Sequence, residues 1–439
     1  MKISLKKLFC SMGLFLFMLW AYTAAGLSSY IYSSTYAKIV TVLLGTALIS
    51  LAYIVDRKRQ HRRMGASDKL IVFIFFLVLY NNKNFAHENY SSDIAFFLIL
   101  FSYFFLSRMG FWSDSFRKQI FIGGIIFGGI TIACFFDRQL YEDKIWPLFV
   151  KENVYNDLLI NYDKGYIAGL TNHVSSNGMY IAIACGVVAC WTIIATKKYQ
   201  NLFNKILLIA LLFSLFLTGK RAHIIFTAAA LFLVYWIYMS DKPKSRFVKG
   251  IAIILVVLMI FLVLAQFIPQ LFNFVNKFIE TANEGDVTKG RTNLVQLAIG
   301  RWRYDTVLGM GWDGFKYWYQ STTGILLNVH NVYIQVLCET GIVGAVIIYS
   351  FFAIEFLHCI KALSIYKQNM QNDISGNIKA ISIACFIQAF FLFYCLTGNP
   401  LYDSQVLFPY VFSCAVGDYW YYELKDNVRN TYSKMEIGK

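Results

Sequence analysis

The sequence is poor in charge. Asp, Glu, Lys and Arg make up 15% of its 439 residues, against roughly a quarter in soluble domains. It has only five prolines and no low-complexity tract, which argues against linkers or appended disordered domains. No internal repeat is visible of the kind that inverted-topology transporters often carry. The nine cysteines are scattered in or beside apolar runs, with no CxxC pair and no Cys/His cluster. Neither a disulfide framework nor a zinc site is indicated, and within apolar spans free cysteine acts as a small hydrophobe. No GK[ST] follows the one glycine-rich turn and no βαβ context surrounds it, so it is neither a P-loop nor a dinucleotide fingerprint.

What the chain does have is apolar length. It is 58% hydrophobic and 18% aromatic, with a mean hydropathy of +0.53, and its apolar runs are repeatedly long enough to cross a bilayer. Spans are expected at 8–27, 37–55, 69–86, 93–107, 120–136, 176–195, 206–219, 222–239, 250–268, 331–357, 380–397 and 406–422. That describes one all-α polytopic membrane domain over 1–439, about twelve helices with both termini on the same side. The segments 69–86, with a polar end, and 93–107, which is short, are the least span-like. KKLFCSMGLFLFMLWAYTAAGLSS at the start has signal-peptide features, but with eleven spans behind it a retained anchor is the better reading.

With the N-terminus inside, about two thirds of the lysines and arginines fall on inner segments, as the positive-inside rule requires. The run RKRQHRR at 57–63 then reads as a topology and anionic-lipid determinant. The formal charge of +15 needs no nucleic acid to explain it.

This topology puts the polar intervals outside. His87, in the Asn81–Asp93 loop, reads as a solvated loop histidine. The Asp137–Ser176 loop ends in YIAGLTNHVSSNG. There Ser175, Ser176 or Asn177 caps the next helix, or Asn172 and His173 project into a polar cavity toward a sugar. LTGKRAH at 217–223 sets Lys220 and Arg221 beside each other at a helix break. Snorkelling explains them; so does an anionic ligand, since arginine presents a fork of donors to phosphate.

The interval 269–330 is the one outer loop large enough to fold on itself. In RTNLVQLAIGRWRY, Leu294, Leu297, Ala298 and Trp302 share a face, with Arg291, Arg301 and Arg303 around it. That is an amphipathic helix suited to the membrane surface. Gly309, Gly311 and Gly314 in DTVLGMGWDGF make a tight turn. KYWYQSTTGILLN suits sugar stacking and an interfacial belt equally. In NVHNVYIQVLCETGIVG, residues 328–344, Asn331, Gln335 and Glu339 fall at i, i+4 and i+8 and form one polar stripe on an apolar helix. Glu339 then lies on the order of 13 Å below His330, facing either a wet cavity or a pairing neighbour. The last outer turn, NPLYDSQ at 399–405, holds Asp403.

Four pieces in this order, LTGKRA, GRTNLVQLA, VLGMGWDGF and VHNVYIQVLCETGIVG, resemble the polysaccharide polymerase and O-antigen ligase superfamily (the Wzy/WaaL type). The resemblance covers roughly 168–344; the first and last spans match only as generic membrane helices. It implies a glycosyltransferase with a GT-C-like fold in the bacterial plasma membrane, using an undecaprenyl-diphosphate-linked glycan donor and no cofactor or metal. It also implies a flippase and a chain-length regulator as partners. Carried over by position, Arg221 and Arg291 hold the donor diphosphate, and His330 is the general base or positions the acceptor hydroxyl. Lys220, where relatives often have a small or hydroxyl residue, adds a second phosphate contact. Asn172, His173, Asn331 and Glu339 remain as substrate contacts. The chemistry is coherent. Fixed arginines stabilise charge developing on a leaving phosphate, and histidine takes a hydroxyl proton near neutral pH.

Polymerase and ligase share this set, and the HNVYIQVLCETGIVG form looks more like capsule or exopolysaccharide polymerases. A lipid-linked glycan flippase is the reading from another class. It calls for charged residues near the midplane of several broken spans, whereas here they sit at span ends and on one loop.

Overall fold

The computed structural model describes residues 4–26, 35–60, 62–87, 90–194, 198–238, 290–369 and 376–437. The expected span at 250–268, and the loop up to 289, lie outside the described residues. Among them the chain forms thirteen principal helices. The first seven are α1 (Leu5–Ala25), α2 (Thr35–Val55), α3 (Ala66–Leu79), α4 (Ser91–Leu106), α5 (Ser113–Phe136), α6 (Val174–Ile194) and α7 (Lys198–Leu217). The others are α8 (Arg221–Tyr238), α9 (Arg291–Trp302), α10 (Gly314–Thr323), α11 (Val332–Asn369), α12 (Gly376–Tyr394) and α13 (Ser404–Ile437).

Nine helices among the described residues are long and apolar enough to cross a membrane, so the protein is a multi-pass membrane protein. The expectation of twelve is met only in part. The 93–107 segment is α4, whose 16 residues rise only about 24 Å at 1.5 Å each, short of a ~30 Å hydrocarbon core. The 406–422 segment opens α13, a 34-residue helix whose tyrosines, tryptophan and Asp418 keep it outside the nine.

Burial separates centre from periphery. The α6 span is 83% buried and the α12 span 78%, against 22% for α7 and α8. A helix apolar on every side belongs in the middle of a bundle, and ACGVVAC in α6 and IACFIQAFF in α12 have no polar face to offer. The outer helices keep one face for lipid, shown by exposed Phe73, Phe76, Ile206 and Ile209.

One end of the bundle is closed by ions. Asp68 and Asp418 are fully buried. Arg62 pairs with Asp418 and lies 3.6 Å from Asp68, and Arg108 reaches Asp68 at 3.1 Å. His358 Nδ1 is 2.8 Å from Asp418, and the Tyr103 hydroxyl lies 2.7 Å from a Glu355 oxygen and 2.9 Å from an Asp418 oxygen. Arg59 caps the last carbonyls of α2. The basic run at 57–63 is thus partly folded into the protein, because helix α13 supplies a carboxylate there.

Candidate functional site

At the other end the site is built on a broken helix. Inside α11, Gly341 has φ +62° and ψ −168°, so residues 342 and 343 cannot donate to 338 and 339. The glycine turn fills the gap. Ile342 N–H donates to Thr306 O (2.9 Å) and Val343 N–H to Val307 O (3.3 Å), while Met310 and Gly311 N–H donate to Cys338 O (3.1 Å) and Glu339 O (2.8 Å). All four backbone groups orphaned by the break are satisfied, as buried backbone requires. Glycine is needed on both sides. A Cβ on Gly341 would overlap the Val307 carbonyl, and one on Gly309 would sit 2.5 Å from the Glu339 carbonyl carbon and the Gly341 nitrogen.

Glu339 fastens the turn a second time. It is fully buried and accepts four hydrogen bonds, from Asp313 N (2.9 Å), Phe315 N (3.2 Å), Gln335 Nε2 (3.0 Å) and the Tyr402 hydroxyl (2.6 Å). Two of these donors lie at the amino end of α10, where carboxylates are favoured. The polar stripe is real, and it faces protein: Gln335 also ties Asn328 and Val329 to the helix.

His330 sits just before α11 in a left-handed conformation, φ +58°, which is uncommon for a residue with a side chain. Asn331 caps the helix, accepting from Ile334 N (3.1 Å) and donating to Leu396 O (3.1 Å). Val332 N donates to Cys395 O (2.9 Å). These bonds bring the 395–403 turn against His330, and Asn399 Nδ2 lies 3.2 Å from His330 Nδ1.

Arg291, the first residue of α9, donates to Thr397 O at 2.9 Å, on the same turn. The rest of α9 differs from a membrane-surface helix. Leu294 and Ala298 are buried in a cluster with Phe315, Val329 and Cys338, and of the four apolar residues on that face Leu297 is the exposed one. The apolar face found a protein groove, made available by the break in α11.

Loss of hydration, then Arg291 and Lys220, lowers the His330 imidazole to about 4. His173, despite an exposed edge, is also lowered to about 4, by loss of hydration and then Lys220. Lys220 is therefore the cation felt by both histidines, and Arg221 follows it as the half-buried first residue of α8. Loss of hydration alone raises Asp403 to about 7.

The fold thus gathers Lys220, Arg291, His330 and His173 at one end, beside Arg221. Asn172 accepts from Lys151 N (3.0 Å) and so holds its own loop, and His173 Nδ1 accepts from Ser175 N (3.1 Å) at the start of α6. Asn331 and Glu339 are engaged as described. Asn399 and Thr397 escaped the sequence reading; their only signal was the Asn399–Pro400 pair, which marks a turn without saying what it meets. Among the described residues, one group could hold a metal ion, Glu355, His358 and Asp418, with ligand atoms within 4.8 Å of one another. It lies in the ion cluster at the other end, where both Asp418 oxygens already have partners.

Residues 206–349 match the family model described as O-antigen ligase, consistent with the Wzy/WaaL superfamily. The match includes Lys220, Arg221, Arg291, the glycine turn, His330, Asn331 and Glu339; Asn172, His173, Asn399 and Asp403 fall outside it. No curated protein matches the chain.

Proposed function

We propose that the protein transfers a glycan from undecaprenyl diphosphate to an acceptor hydroxyl at its His330 end, and that this reaction polymerises lipid-linked repeat units on the outer face of the bacterial plasma membrane. Both termini then lie in the cytoplasm. The observation that carries the reading is the convergence of Arg291 and His330 on one turn, through Thr397 and Asn399, within the segment similar to O-antigen ligases.

The roles follow from charge. Arg291, Arg221 and Lys220 hold the donor diphosphate and stabilise the leaving phosphate as its charge grows, without a metal. His330 takes the acceptor proton. Asn399 Oδ1 is buried without a partner among the described residues, and an amide rotated by 180° would place that oxygen on His330 Nδ1–H. Nε2 is then left as the base. An imidazole at about 4 is a weak base near neutrality, but a bound diphosphate offsets the two cations that help hold it there. Donor binding therefore raises its basicity.

The alternative is a ligase, in which finished glycan passes to a lipid or protein acceptor; the matching family model supports the two readings alike. Deleting the protein from its host separates the two. Accumulated single lipid-linked repeat units mean a polymerase, and long lipid-linked chains mean a ligase. Single units confined to the inner leaflet would overturn both in favour of a flippase.

A further inference from the structure

Beside the His330 cluster lies a cavity of about 310 Å³, the size of one or two sugar rings by volume. The 399–405 turn divides the two. Asn399 faces His330, and Asp403, whose N–H donates to Asn399 O, lines the cavity with Asp93, Asp313, Lys38 and Lys316. Asn328, two residues before His330, lines it as well.

The lining has the character of a carbohydrate site. Its inner wall is aromatic: Trp312, 2% exposed, is held between Tyr402 (ring centroids 5.2 Å apart) and Phe96 (5.5 Å). Polar groups complete it, and two of its carboxylates have bonding capacity to spare. Asp313 is 5% exposed and its Oδ2 is shared by Asn84 (2.5 Å) and Lys316 (2.8 Å), yet its Oδ1 is buried without a partner. Asp313 also sits at φ +59°, a strained conformation of the sort that persists where surrounding structure imposes it. No side chain among the described residues pairs with the Asp403 carboxylate. The buried Asp313 oxygen and the half-buried Asp403 carboxyl call for donors, and ring hydroxyls are compact donors. Lys316 is paired with Asp313, which leaves the carboxyl groups of Asp93 and Asp403 against Lys38 and disfavours a phosphate or a uronic acid.

We propose that this cavity is a glycan subsite, which holds a non-anionic, hydroxyl-rich sugar ring of the acceptor next to His330. The proposal rests on the transferase reading for the word acceptor, but the binding itself can be measured without transfer.

The test is saturation-transfer NMR on the full-length protein in nanodiscs. The neutral probes are chitobiose, lactose and maltose, and the anionic control is digalacturonic acid. At least one neutral disaccharide should be saturated and the uronate should not. Binding should weaken about tenfold, the scale of one lost hydrogen bond to a charged group, in Asp403→Asn and in Asp313→Asn. It should vanish in Ser92→Trp, which fills the cavity. Folding of each variant is checked by its elution as a monodisperse species. Should Asp313→Asn misfold, Asp403→Asn and Ser92→Trp carry the test. No neutral probe saturated, preference for the uronate, or signals unchanged in Ser92→Trp would overturn the subsite. In a transfer assay, Asp403→Asn should raise KM for acceptor with kcat little changed. Transfer with acceptor KM untouched by cavity variants sinks the subsite and leaves the transferase; sugar binding by a protein that transfers nothing does the reverse.

Discussion

At the Asp418 end of the bundle, Arg62, Arg108 and His358 are matched to carboxylates; at the His330 end, Arg291 is held by a backbone carbonyl and His330 by an amide. The residue types are alike and the partners differ. Asp403 and Asp418 are 15 residues apart on one helix and its lead-in, about 22 Å by helical rise, so the two ends cannot neutralise each other. A cation locked to a carboxylate supports the fold and has little left for a ligand. One steadied by neutral oxygen keeps its charge available for a phosphate. The contrast teaches where to look for chemistry in a protein with so few charges: at the end where Arg291 and His330 are held by neutral groups.

Substitutions should divide along that line. His330→Ala should lower transfer by roughly 10²–10⁴, the range for a general base, with melting temperature unchanged; transfer at the wild-type rate would remove the base assignment. Asp418→Asn should act in the opposite sense. It leaves a buried arginine short of its counter-ion and should cost about 3–5 kcal/mol of stability, seen as a lower detergent-denaturation midpoint, while the molecules still folded transfer normally. Gly341→Ala, at a φ that alone costs about 1–3 kcal/mol, should reduce stability and transfer together, and so blur the division. Arg291→Lys keeps the charge and loses the planar fork. A loss on the order of tenfold in transfer is expected, about 1.4 kcal/mol, and full activity would reduce Arg291 to packing.

The mildest test is pH. Between about 4 and 6.5 the His330 imidazole takes a proton in the unfolded chain but not in the folded one. Its contribution to stability therefore falls as pH drops through that window and is level above it. The kcat/KM profile should show no loss from His330 protonation between pH 8 and 5; a limb near 6.5 would mean the imidazole is solvated.

Much of this was legible in the chain. Long apolar runs marked the spans, and the helix predicted from RTNLVQLAIGRW is found at Arg291–Trp302. The set Lys220, Arg291 and His330 was readable because each stands at a polar junction in an apolar sequence. The break at Gly341 was not, because the bonds that fill it come from main-chain groups at 306–311 and leave no side-chain signature. Nor was the burial of α9: an amphipathic pattern states that a face must be covered, not by what. Asn399 was hidden for a similar reason, since an Asn-Pro turn declares its shape and its contact with His330 spans 69 residues.

The filled break in α11 has a consequence for motion. Opening the 306–311 turn would strand four backbone groups on the helix and four on the turn, at several kcal/mol for each one that meets lipid. The turn and the helix should therefore open only together, as one cooperative unit in hydrogen exchange. Met310, Gly311, Ile342 and Val343 amides would share a single slow rate. Since α9 leads into that turn and His330 precedes that helix, the reach from arginine to imidazole is gauged by the main chain, and mobility needed to admit a substrate has to come from elsewhere.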